Sequence, residues 1–379
     1  MRTGRIAATI ACLVSACTGA TLAACGGGGA SNTSGETGQD ASGGSSGSGS
    51  GSGGTTSSGS SGSGGSSGGG SGGSSGAGEA GVIDAGVVDA PIATGDASSG
   101  CGTAATAGMH DVTIQSGGMA RAFHVYVPAK YATATSTPDT LVFVFHGYTQ
   151  VGTGNTFTSI EYLSQMDPVS DAQGFLLVYP DGYMNSWNAG DCCGAAVSSN
   201  VDDVGFFDAM VAWIESKYCV DPKRVYVAGL SNGGFFSNRL GCERANVVAA
   251  IGPVAGPLDI MPCNPSRPVP MFEVHGTADP VVFFDGGSSS LALPVEQAVS
   301  TWEGLDKCTD SMPATVYTNG AATCTEESMC AGGSAVELCV IDGGGHQWPG
   351  GKDDYLGDFS SDLDTSTSMM KFFQEHPMP

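Results

Sequence analysis

Val225-Tyr226-Val227-Ala228-Gly229-Leu230-Ser231-Asn232-Gly233-Gly234 is the stretch on which the fold turns. A short β-branched and apolar run ends in G-x-S-x-G, and an amphipathic run through Phe235, Phe236 and Leu240 follows. The pattern predicts strand, tight turn and helix, with the serine in strained backbone geometry and its hydroxyl exposed at the end of a sheet. Gly229 and Gly233 are required because a Cβ at either place would collide with the neighbouring strand or helix. The backbone N–H of Asn232, at the start of the helix, can donate to a developing oxyanion. Ser231 is therefore a candidate nucleophile, and it needs partners from elsewhere in the chain.

The N-terminus reads as an export signal. Arg2 and Arg5 precede an apolar run over 6–14 that is too short for a comfortable membrane span. Leu22-Ala23-Ala24-Cys25-Gly26 resembles a bacterial lipobox, which implies cleavage before Cys25 and its diacylation; Cys17 offers a second such place. Residues 1–25 are thus expected to be a signal with lipobox. Residues 26–100 are mostly Gly, Ser, Thr and Ala, with six acids and no Lys or Arg. Such a segment cannot bury a core and is expected to be a disordered tether of roughly 50 Å r.m.s. span.

Residues 101–379 remain, enough for one large α/β domain. The chain carries 13 Lys and Arg against 37 Asp and Glu. That surface repels nucleic acid and anionic membranes, so the expected membrane contact is the lipid anchor alone. Of 13 cysteines, ten fall beyond residue 100, and an even number in an exported domain reads as up to five disulfides. Cys324–Cys330 and Cys308–Cys339 are the expected pairs near the C-terminus. Cys192 and Cys193 are expected to enter separate bridges rather than join each other. No C-x-x-C is present, and no metal or organic cofactor is expected.

Along the domain, 111–115 and 122–127 read as a hairpin. Residues 140–145 are apolar on both faces, as in a central parallel strand. Further strands are read at 175–179, 247–254, 270–275 and 336–341, and helices within 156–173, 203–218, 295–305 and 366–375. Alternation of strands and helices implies a mostly parallel sheet covered on both faces, with its site at the carboxyl ends of the strands.

Two loops at strand ends carry the missing chemistry. Gly276-Thr277-Ala278-Asp279-Pro280 follows one strand, and Gly343-Gly344-Gly345-His346-Gln347-Trp348 follows the last. A serine hydroxyl needs an imidazole as general base, and the imidazole needs a carboxylate to fix its tautomer. The chain order Ser231, Asp279, His346 is that of an α/β-hydrolase. Asp285, Asp306 and Asp342 compete with Asp279, which is preferred for its place just past a strand end. His146 and His275 end strands and are read as shaping loops. Tyr148, after His146-Gly147, supplies the second expected oxyanion donor through its backbone N–H, with Thr149 as the alternative. Trp187 and Trp348 are expected on an aromatic rim that could stack on a substrate ring, or else to pack their own loops. Asp202 or Asp203 caps the following helix or meets sugar hydroxyls.

Taken together, Gly229-Leu230-Ser231-Asn232-Gly233-Gly234, His275-Gly276-Thr277-Ala278-Asp279-Pro280 and Gly344-Gly345-His346-Gln347-Trp348-Pro349-Gly350-Gly351 resemble the exported serine esterases that include polyhydroxybutyrate depolymerases and feruloyl esterases. Trp187-Asn188, Cys192-Cys193-Gly194 and Asp202-Asp203-Val204-Gly205-Phe206 fit the same group. The resemblance spans roughly 113–373. It implies an α/β-hydrolase fold and a serine carboxylic-ester hydrolase with Ser231, Asp279 and His346 as its triad. It leaves two substrate classes: feruloyl or related esters on plant polysaccharide, which are preferred, and hydroxyalkanoate polyesters. Polymer-degrading members often carry a separate binding module where this sequence has its tether. A surface binding protein that keeps the fold without turnover is the reading of another class, and the presence of all three residue types argues against it.

Overall fold

The computed structural model describes residues 97–154, 159–287, 292–309, 312–352 and 356–379. The signal, Cys17, Cys25 and nearly all of the tether lie outside the described residues. Ser98 already belongs to the fold: its hydroxyl donates to the Tyr218 carbonyl and accepts from the Val220 N–H.

Ten strands form one sheet. They are β1 (Gly108–Ser116), β2 (Met119–Val127), β3 (Asp139–Phe145), β4 (Leu176–Pro180), β5 (Val220–Leu230), β6 (Ile251–Val254), β7 (Met271–Gly276), β8 (Ala314–Asn319), β9 (Ala322–Glu327) and β10 (Val336–Ile341). Their order across the sheet is β1-β2-β4-β3-β5-β6-β7-β10-β9-β8. The six from β4 to β10 run parallel, and an antiparallel hairpin closes each side. The hairpin of β8 and β9 was not read from the sequence, although Asn319-Gly320 between two β-rich runs is a strong hairpin turn.

The central strands are apolar on both faces because each face builds its own core. On β3, Leu141, Phe143 and Phe145 enter one core and Val142 and Val144 the other. Helices α2 (Asp203–Lys217), α3 (Asn232–Glu243) and α4 (Val295–Leu305) cover the first face, with Phe206, Phe207, Phe235, Phe236 and Trp302 buried against it. Helices α1 (Met166–Gln173) and α5 (Thr365–Glu375) cover the second, through Met166, Met369, Met370, Phe372 and Phe373. Each such side chain contributes about 1.5–3 kcal/mol on burial, so the two-sided pattern specifies the layers strongly. The predicted helix within 156–173 is broken at Gln165, whose φ is 53°.

Five disulfides are present: Cys101–Cys219, Cys192–Cys193, Cys242–Cys263, Cys308–Cys330 and Cys324–Cys339. All ten domain cysteines are paired, and such a framework fits an exported protein. The expected pairs Cys324–Cys330 and Cys308–Cys339 are wrong. Cys324 and Cys339 stand directly opposite each other on β9 and β10, so the ladder joins them. Cys330 is then left for Cys308. Cys192 and Cys193 bond to each other rather than to separate partners.

Candidate active site

Ser231 sits between β5 and α3 with φ 58° and ψ −118°, a conformation that non-glycine residues adopt at a cost of order 1–3 kcal/mol. Neighbouring backbone holds it there. Its N–H donates to the Val254 carbonyl at 2.8 Å, and its carbonyl accepts from Phe235 at 2.9 Å. A Cβ on Gly229 would strike the Gly233 backbone, and one on Gly233 would strike the Phe145 carbonyl. The glycines let the turn close between strand and helix.

The loops after β7 and β10 fold onto one another. Gly276 packs so tightly on Gly344 that a Cβ would overlap its carbonyl. Thr277 N–H donates to Ile341 at 2.9 Å and Ala278 N–H to Gly344 at 3.0 Å. This seam brings the Asp279 carboxylate beneath the His346 ring, and His346 Nδ1–H donates to Asp279 Oδ2 at 2.7 Å. Asp279 Oδ1 accepts from the N–H groups of Val281 and Val282, at 2.8 and 2.9 Å. Burial alone would raise the carboxyl's pKa, but His346 and His275 outweigh it and hold it well below the usual carboxylate range. Asp279 and His346 are almost wholly buried, and Ser231 is 8% exposed. All three follow parallel strands at the same edge of the sheet.

The Asn232 side chain has a role that the sequence did not suggest. Its Oδ1 accepts from the Trp187 N–H at 2.7 Å, and its Nδ2 donates to the Trp187 carbonyl at 3.0 Å. The first residue of α3 is thereby clamped to the loop after β4. Asn188 N–H next door donates to Asp203 Oδ2 at 2.7 Å, while Arg121 donates to Asp203 Oδ1 at 2.7 Å. Asp203 is thus a buried anchor, whereas Asp202 caps α2 by accepting from Gly205. The Thr149 N–H is taken up by the Asn185 carbonyl at 2.8 Å, which removes the alternative to Tyr148. The Tyr148 ring lies over Gly194, whose φ is +66°. His146 is a loop former: its Nε2 accepts from Gly182 at 2.8 Å, and burial lowers its pKa to about 4, so the ring is neutral.

Trp187 and Trp348 do not form a rim. Both are buried to 1% exposure or less. Trp187 stacks on Phe236 at 5.3 Å and donates to the His146 carbonyl. Trp348 donates to Ser366 Oγ at 3.0 Å and pins the histidine loop to α5. Each indole finds a partner for its N–H inside the fold, which removes the reason for it to stay wet. Exposed apolar side chains on the loops that follow the parallel strands include instead Met184, Met261 and Phe283, after β4, β6 and β7.

No family model matches the chain. It is 36% identical over 195 residues to feruloyl esterase B of Piromyces equi, covering 47% of this chain and 35% of that protein. It is 32% identical over 139 residues to the poly(3-hydroxybutyrate) depolymerase of Ralstonia pickettii, covering 35% of this chain and 28% of that one. The chain thus spans about a third of the length of these relatives. Among solved structures, the acetyl xylan esterase from Aspergillus awamori aligns with a TM-score of 0.50 at 16% identity, over 70% of this chain and 99% of that one.

Proposed function

We propose that this chain, whose fold is that of the α/β-hydrolases and whose relatives are named as esterases, is a serine carboxylic-ester hydrolase working through Ser231, Asp279 and His346. The observation that carries the reading is the 2.7 Å hydrogen bond from His346 Nδ1 to a buried, doubly braced Asp279, on the same sheet edge as a strained serine. In this reading His346 takes the Ser231 proton as the hydroxyl attacks the ester carbonyl. The N–H groups of Asn232 and Tyr148 receive the oxyanion. His346 then returns the proton to the leaving alcohol, and water cleaves the acyl-enzyme by the same steps in reverse. No cofactor enters this mechanism.

The preferred substrate is a feruloyl or related ester on plant polysaccharide. The match to a feruloyl esterase supports it, being longer than that to the depolymerase. Short-chain polyhydroxyalkanoate is the second reading. We also infer export, a lipid anchor at Cys25 with Cys17 as the alternative, and a tether over 26–100 that holds the domain of 101–379 away from the envelope.

Side-by-side rates on methyl ferulate and a hydroxybutyrate oligomer test the substrate, with the ferulate expected to be cleaved faster. Ser231→Ala is expected to lower turnover by at least about 10³-fold while the fold is kept. Absence of turnover on any ester, with no phosphonate label on Ser231, would leave a binding protein on a hydrolase fold.

A further inference from the structure

Asp279 meets two imidazoles, and the mechanism above uses one. His275, the penultimate residue of β7, lies behind the carboxylate with its Nε2 3.4 Å from Asp279 Oδ2. The same Nε2–H donates to the Val282 carbonyl at 2.8 Å. Its Nδ1 faces Glu273 Oε1 at 3.4 Å. His275 and Glu273 are each about 1% exposed, and the edge of the Phe284 ring closes the other side.

This geometry fixes a proton count. Val282 requires a hydrogen on Nε2. Nδ1 and Glu273 Oε1 then face each other and need one proton between them. Glu273 Oε2 has no hydrogen-bond partner, so the carboxylate depends on the ring for support. A proton on Glu273 would leave a neutral ring beside the Asp279 carboxylate. A proton on His275 gives a cation with a carboxylate on either side, the arrangement Coulomb's law favours. The titratable groups that face His275 are Glu273 on its own strand, Asp279 on the following loop and, across Asp279, His346. On β10 the residue opposite is Val340, which carries no charge.

We propose that His275 is a positioning residue for the hydrolase: an imidazolium, held by Glu273, that braces Asp279 Oδ2 against the pull of His346. The inference rests on the reading of Asp279 and His346 as acid and base. Burial opposes the charge on His275, but Asp279 and Glu273 outweigh it and raise its pKa to about 9. Burial also raises the pKa of Glu273, with the hydrogen bond and charge of His275 acting the other way, and the carboxylate that faces His275 from the far side, Asp279, tips the shared proton to the ring. With Oδ1 fixed by two amides and Oδ2 shared between two rings, the carboxylate cannot rotate.

The test is the pH profile of kcat/KM for the full chain and for His275→Gln. Removal of the second cation leaves Asp279 to His346 alone, so the variant's acid limb is expected to move up by roughly one pH unit or more. A lower rate with the limb unmoved would reduce His275 to a structural residue and overturn the proposal. Nitrogen-15 NMR of the histidine rings supplies an arm that needs neither the variant nor turnover. Both His275 nitrogens are expected to be protonated at pH 7, and Glu273→Gln is expected to lower the ring's titration midpoint. A neutral His275 at pH 7 would overturn the proposal even if the variants do not fold. If the wild type hydrolyses no ester, the hydrolase reading falls instead, and the NMR arm still reports the charge.

Discussion

Two aspartates at the ends of adjacent strands are buried to a similar degree and hold their charge in opposite ways. Asp279, after β7, is 4% exposed, and both its oxygens have partners: two amides on one, two imidazoles on the other. Asp259, after β6, is 6% exposed, and neither oxygen completes a hydrogen bond. Burial and the nearby Asp191 push its pKa up to about 7, with only the Cys192 amide acting the other way. Burial alone therefore does not decide whether a carboxylate survives. The number and charge of its partners do. The fold gathers those partners around the carboxylate that meets His346 and omits them one strand away.

The largest effect is expected from breaking the satisfied member. Asp279→Asn keeps the shape but offers His346 a group that can favour the wrong tautomer. Turnover is expected to fall by about 10⁴-fold, read as kcat on a soluble ester. A loss under about tenfold would mean that Asp279 does not orient the base. A third aspartate sharpens the contrast. Asp203 is wholly buried, and although burial raises its pKa, Arg121 and the Asn188 amide act against that and satisfy both oxygens. Arg121→Ala would turn it into an unpaired buried carboxylate, at a cost of about 3–5 kcal/mol in denaturant unfolding. Because Asp203 holds Asn188 beside the Trp187–Asn232 clamp, kcat is expected to fall as well. A stability loss below about 1 kcal/mol would show that partner count is not what keeps these groups ionised.

The parts legible in the sequence were those that backbone geometry dictates. Gly229 and Gly233 had to be glycine for the turn to close, and so they marked Ser231. The alternating apolar faces of 140–145 and 225–230 announced a parallel sheet with two cores. Asp279 and His346 could be chosen because strand ends in such a sheet share one edge. What stayed hidden depended on the partner across space. An indole on a loop beside a polar residue can face water or core, and nothing local separated the two for Trp187 and Trp348. Cys324 and Cys339 are opposed only once β9 is known to be a strand, and the Asn319-Gly320 turn is the sole local sign of it. His275 showed its position but not its charge, because Glu273 meets it through the two-residue repeat of a strand whose side chains were not followed.

The smallest effect comes from repairing the unsatisfied member. Asp259→Asn replaces a carboxyl with a neutral group of the same shape. With a native pKa of about 7 against an ordinary value near 4, Asp259 favours the folded state most below about pH 4. That contribution is lost as pH rises through about 7, where the native carboxyl must ionise with only the Cys192 amide to support it. The variant is therefore expected to match the wild type near pH 4 and to exceed it by about 1–3 kcal/mol at pH 8, seen as a rise of a few degrees in Tm. An equal gain at pH 4 and pH 8 would separate the effect from ionisation. A loss at pH 8 would mean that Asp259 is stabilised as a carboxylate, and the contrast with Asp279 would disappear.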